Sequence, residues 1–168
     1  MGILGILNND VLIVALSSWL VAQIAKIVIN AIVTKEFNLE RLFGDGGMPS
    51  GHSATVTAAA LMTGIVAGFD NPVFGLALVF AIVVMHDATG VRQEAGKHAR
   101  YIIEIVEVLN EYLDYLVEND EKVKVEKLKT LVGHTHLQVF FGALTGIIVV
   151  ILYLWIFGKF DMLITAVA

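Results

Sequence analysis

Apolar positions crowd into four stretches, roughly Val11 to Val33, Ser53 to Phe69, Val73 to Met85 and Leu137 to Phe157, with polar junctions between them. A membrane span takes about 20 apolar residues, or about 17 at the short end. The first and fourth stretches are long enough outright. The second and third are short, and are expected to begin or end in protein-lined, partly polar surroundings. This pattern predicts an all-α fold, an integral membrane helical bundle of about four transmembrane helices.

Between the third and fourth stretches the pattern changes to "KHARYIIEIVEVLNEYLDYLVENDEKVKVEKLKTLVGH", charged, rich in helix formers and free of proline. Ile102, Val106, Leu109, Leu113 and Leu116 recur at spacings of four and three, opposite Glu104, Glu107, Glu111 and Asp114. The chain therefore reads as one membrane-embedded domain, residues 1–168, with an extramembrane helical insertion over 97–132. The stripe suits a helix laid against the domain, or paired with "KVKVEKLKTLV" after a turn near Asn119 and Asp120. A homodimer through the same amphipathic helix is the other arrangement it suits.

Composition strengthens the membrane reading. Of 168 residues, 57% are hydrophobic and 16% charged, and the mean hydropathy is +0.79, against about a quarter charged in a soluble domain. A net charge of -5 offers no broad basic surface, so no nucleic-acid partner is expected; the partner is the lipid bilayer. The absence of cysteine excludes disulfides, thiolate metal sites and cysteine nucleophiles. "MGILGILNND" lacks the positive leader of a secretory signal, and the first stretch is expected to be retained as a span.

Four spans impose a topology. The end of the first, the start of the second, the end of the third and the start of the fourth must share one side of the membrane. Three polar clusters, "TKEFNLERLFGDGGMPSGH", "HDATGVRQEAGKHAR" and "KLKTLVGHTH", occupy those junctions and are expected to form one composite site. Ten of the eleven lysines and arginines fall on or near that side, with Lys159 on the other. Basic loops tend to stay cytoplasmic, so the site face is expected to be cytoplasmic in a multi-pass cell-membrane protein, with both termini outside.

The chemistry sits at these junctions. In "GGMPSGHSAT", Gly46 and Gly47 permit close approach, Pro49 stiffens the loop, and Ser50 or Ser53 caps the helix that follows. A helix start is a natural phosphate seat, and His52 beside it carries an imidazole, a side chain suited to donating a proton to a leaving group. Asp87 and Arg92 follow the third apolar run, where they either pair with each other or serve a ligand; guanidinium is the better phosphate group. Gln23 and Lys26 lie three residues apart on the first span, where Lys26 has the option of snorkelling to the interface. His134 opens the fourth span with Gln138 one turn later, placed to hold one ring nitrogen and leave the other to attack phosphorus. His136 is expected to be peripheral.

"MPSGH" followed much later by "GHTHLQVFFGALTG" resembles the superfamily of type-2 phosphatidic acid phosphatases and vanadium haloperoxidases. With "SSWLVAQIAKIVI" and "HDATGVRQEAGKHA", the four ordered blocks, from about Ser17 to Ile148, are similar to the divergent PAP2 family. The resemblance implies that His134 forms a phosphohistidine and His52 protonates the leaving group, with Gln138 in the orienting position. It implies that Ser50 and Gly51 bond phosphate oxygens and that Lys26 and Arg92, then Arg41, balance their charge, with Asp87 nearby. Some positions depart from the superfamily pattern. Lys35 and Arg41 have five residues between them and no following proline, Leu128 stands where a serine-arginine pair is expected, and Gln138 replaces an acid. Glutamine fixes a tautomer without stabilising imidazolium by charge, which implies slower chemistry.

The resemblance thus implies a lipid-phosphate phosphatase or pyrophosphatase, acting on a prenyl diphosphate or a phosphatidyl-type substrate, with no metal or other cofactor. The alternative is a non-catalytic lipid-phosphate binder or transporter that keeps the phosphate pocket. A metal site drawn from His52, His86, His98, His134 and His136 with Asp87 is a third class, disfavoured because only His134 and His136 are close neighbours in sequence.

Overall fold

In the computed structural model, which describes residues 3–35, 47–116 and 133–167, a 3-10 turn over Ile3–Asn8 leads into six helices. These are α1 (Asp10–Thr34), α2 (Gly51–Ala67), α3 (Pro72–Thr89), α4 (Val91–Leu116), α5 (His136–Ile156) and α6 (Phe160–Val167). No strand occurs among the described residues. The four apolar helices begin on side-chain caps, at Asn9 for α1, Ser50 for α2, Asn71 with Pro72 for α3 and Thr135 for α5. The four apolar stretches therefore become α1, α2, α3 and α5. Three helical runs, Asp10–Thr34, Pro72–Tyr112 and His136–Ile156, are long and apolar enough to cross a membrane, and α2 is a shorter apolar helix.

The short helix holds the centre. α2 packs against α1, α5 and α3, whereas α1 and α3 do not touch. Its 17 residues reach only about 26 Å, less than the roughly 30 Å hydrocarbon layer. One end therefore starts inside the apolar layer, where protein must satisfy its backbone. At Ser50 it does: the N–H donates to the Gln138 carbonyl at 3.0 Å.

α2 and α5 meet backbone to backbone through two glycines four residues apart. A Cβ at Gly142 would collide with the Ser50 carbonyl oxygen and lie 2.9 Å from the Ser53 Cβ; one at Gly146 would lie 3.1 Å from the Ala58 nitrogen. Small residues are what allow this approach where lipid gives helices no hydrophobic drive to associate. Gly142→Val is expected to destabilise the bundle by ~3 kcal/mol, read as a lower midpoint of unfolding in detergent.

The interior divides along its length. Val14, Ala58, Met62, Ile65, Val149, Val150, Tyr153 and Leu154 form an apolar core, with Met162 and Leu163 of α6 packed on it. Toward the other end the buried side chains turn polar: Ser18, Gln23, Lys26, Ser50, Ser53 and His134. Beyond the apolar core, Lys159 donates to both Asp10 carboxylate oxygens at 2.7 Å, and the Tyr153 hydroxyl donates to Asp10 at 2.6 Å. The bonded carboxylate raises the Lys159 ammonium above the ordinary lysine value of 10.5. Its contribution is therefore complete below pH 10.5 and is lost as pH climbs through the raised value. Lys159→Met is expected to cost about 1 kcal/mol at pH 7, discounted from a charge-assisted bond because the lysine side chain is 35% exposed. The loss should vanish when the comparison is repeated in strong alkali.

α4 begins at Val91, before the expected start of the insertion at residue 97, and continues α3 through a turn at Gly90. It does not lie against the bundle: among the described elements it touches α3 alone, and Ile102 and Leu109 of its stripe are exposed. The segment expected to pair with it lies outside the described residues, as do Arg41, Gly46 and Leu128.

Candidate functional site

The four junctions that topology assigns to one side do converge. Gly47 takes a positive φ of 98° directly over the Lys26 stem, where a Cβ would lie 3.1 Å from the lysine Cγ. Gly51 is covered by Trp19, whose Cδ1 would be 3.3 Å from an added Cβ. Residues 47–51 are thus held against α1 where they enter α2.

Ser50 is completely buried. Its Oγ accepts from the Ser53 N–H at 3.3 Å and from the Ser53 hydroxyl at 3.0 Å, so the side chain is engaged in the cap. Two residues on, His52 is exposed and directed at the start of α5. Its ring centroid stands 6.4 Å from that of His134.

His134 is only 4% exposed and precedes α5, whose first residue is the exposed His136. Its backbone N–H donates to the Ala88 carbonyl at 2.8 Å. In an uninterrupted helix that carbonyl would face the N–H four residues on; the turn at Gly90 turns it toward His134 instead. Gly133, with φ 87°, lies flat on the first turn of α4, where a Cβ would strike the Arg92–Gln93 backbone. Nδ1 of His134 lies 3.2 Å from Gln138 Oε1.

Both imidazoles line one cleft with Val84, Ala88, Arg92 and Gly133. Arg92 and Asp87 do pair, Nε donating to Oδ2 at 2.7 Å across the α3–α4 turn, with both side chains partly exposed. This bond engages one edge of the guanidinium. Lys26 is buried beside the loop at 4% exposure but does not line the cleft. No cluster of three or more histidine, aspartate or glutamate side chains among the described residues is arranged to hold a metal ion.

The sequence matches the family described as the divergent PAP2 family across residues 7–149. The chain belongs to this family. It is also 37% identical over 156 residues to the uncharacterized membrane protein YuiD of Bacillus subtilis (strain 168), a match covering 90% of this chain and 98% of that one. No solved structure is significantly similar. The divergent PAP2 chain described here is a multi-pass membrane protein, with its histidine pair where α2 and α5 begin.

Three features of this divergent PAP2 site escaped the sequence reading. Val84 read only as a span residue, and Ala88 only as one position of a polar junction. The Trp19 cover on Gly51 had no sequence signal at all. Thr135 did have one, since T-x-x-Q before an apolar run is a capping-box pattern.

Proposed function

We propose that this protein hydrolyses a lipid phosphate or diphosphate through a phosphohistidine on His134. The observation that carries this reading is the pair of histidine rings, 6.4 Å apart across a cleft that also holds Arg92. A phosphate group between two such rings meets a nucleophile on one side and a proton donor on the other.

In the first step the His134 lone pair forms a nitrogen–phosphorus bond as the bond from phosphorus to the leaving oxygen breaks. His52 gives that oxygen a proton. In the second step His52, now neutral, takes a proton from water as the water oxygen attacks phosphorus and the nitrogen–phosphorus bond breaks. Phosphate leaves and both histidines are restored. Arg92 balances charge on the phosphate oxygens, while Asp87, itself an anion, acts by orienting that guanidinium. Ser50 and Gly51 shape the loop, and Lys26 places a positive charge beside it. The family membership and the apolar bundle support a lipid rather than a soluble phosphate ester. The lysine and arginine count supports a cytoplasmic site face.

The second reading, a binder or transporter of lipid phosphate, is favoured by Gln138, which lacks the charge of an acid. A panel of lipid phosphates varying in headgroup and chain length, assayed in detergent with chelator present, separates the two. Phosphate release that vanadate suppresses, and an Arg92→Ala variant with KM raised about tenfold, are the outcomes expected of the hydrolase. Lipid-phosphate binding without release, retained in His134→Ala and lost in Arg92→Ala, selects the binder.

A further inference from the structure

Outside the bundle, α4 carries an apolar face that no other described element covers. Tyr101, Ile102, Ile105, Val108, Leu109 and Tyr112 are all exposed on it. Ile105 and Val108, at 65% and 66%, stand as open as Val79 and Val83 of the spanning α3, at 58% each. On a helix of about 3.6 residues per turn, the six share one arc roughly 120° wide. Glu104, Glu107 and Glu111 lie outside that arc.

Contiguous apolar surface of this kind marks a contact with protein or with membrane. Two observations choose the membrane. The first is where α4 starts. The bond from the His134 N–H to the Ala88 carbonyl sets the end of α3 level with the start of α5, and α4 follows at once from Val91. Lipid is therefore beside the helix from its first turn. Gly90, with ψ of -98° against about -42° in a helix, breaks the helical path there, so α4 is not held to the direction of the span. The second observation is the chemistry of the flanks. Ile102, Ile105, Leu109 and Tyr112 have the three-four spacing of a two-stranded seam. Tyr101 and Val108 on one side of it, and Val106 on the other, stand where such a seam carries the charges that choose a partner. A wide apolar face ended by tyrosines, with ionised side chains behind it, suits the headgroup layer instead.

We propose that α4 is an interfacial helix, lying along the membrane surface on the site side with the face from Tyr101 to Tyr112 seated among lipid headgroups and upper acyl chains. The occupant of this face is lipid rather than a second copy of the chain. Arg92 stands on the first turn of α4 and lines the cleft, so the seat holds the cleft at headgroup depth. Neither the seat nor its test depends on a reaction.

The chain contains no cysteine, so a single-cysteine variant takes a nitroxide label at one place only. Full-length Ile105→Cys, Val108→Cys, Glu104→Cys and Glu111→Cys proteins are labelled and placed in phosphatidylcholine nanodiscs. Each is read for collision with oxygen, which concentrates in hydrocarbon, and with a water-soluble nickel chelate. All four positions are exposed, so the fold should tolerate the labels, and Leu109→Cys repeats the reading if one of the apolar pair fails to insert. Labels replacing Ile105 and Val108 should collide several-fold more with oxygen, and several-fold less with nickel, than those replacing Glu104 and Glu111. High nickel collision at all four positions means that α4 stands in water, and overturns the proposal. Low collision with both reagents at the Ile105 and Val108 positions means that protein covers the face, and overturns it equally. Spectral broadening that disappears on dilution with unlabelled protein then identifies that cover as a second copy.

Discussion

His134→Ala is expected to reduce phosphate release from a lipid phosphate by at least about a thousandfold, because the proposed reaction bonds that ring to phosphorus. The fold should survive the change. The His134 N–H to Ala88 bond is made by the backbone, which alanine retains, and the ring packs in the polar end of the interior rather than in the apolar core. Size-exclusion behaviour and helical circular dichroism should therefore match wild type. His52→Ala should behave differently. Its proposed role is to protonate a departing oxygen, so the deficit should reach about a hundredfold on an alkyl phosphate and shrink on an aryl phosphate whose leaving group needs no proton. A nucleophile mutant shows no such recovery. Equal activity of His134→Ala and wild type on the preferred lipid would remove His134 from the chemistry, whatever the family's other members do.

The fold was legible in the chain to the extent that it follows from apolar run length and capping chemistry. Asn9, Ser50, Asn71 and Thr135 stand where their helices begin, and all four apolar stretches became helices. The placement of α2 at the centre was not legible, since it depends on which small residues face which neighbour; Gly142 and Gly146 look like any span glycines until they meet the α2 backbone. α6 went unread because eight residues after Gly158 make too few turns for their apolar spacing to stand apart from the end of a span. The link of Asp10 to Lys159 joins opposite ends of the chain and is visible only in three dimensions.

The site was legible through topology rather than through any one motif. Parity of the spans brings residues near 50, 90 and 134 to one side, and the described contacts join them: Ser50 to Gln138, His134 to Ala88, Gly133 to Gln93. A spacing of four was enough to lay the Gln138 amide against the His134 ring. What the spacing does not carry is competition for the same atoms. Ser50 has a hydroxyl suited to phosphate, yet it is taken up by its own helix cap, and Arg92 gives its Nε to Asp87 before any ligand arrives.

Gln138→Glu is expected to raise turnover by about tenfold, and the geometry explains why so small a change should act so strongly. A glutamate side chain has the length of glutamine and can keep both contacts that Oε1 now makes, accepting from the Thr135 N–H and facing His134 Nδ1. The cap and the contact with the ring are therefore preserved. What changes is charge. In the proposed reaction the His134 ring becomes cationic as it bonds to phosphorus, and a carboxylate 3.2 Å away stabilises that cation where a neutral amide does so only through its dipole. The gain appears in kcat, since the charge develops only along the reaction. The same carboxylate favours the imidazolium of the resting protein, so the acid limb of the pH–rate profile should move to higher pH while the plateau rises. A profile that shifts without a higher plateau would mean that bonding to His134 does not limit turnover. A variant with neither change would mean that position 138 does not address the His134 ring during the reaction.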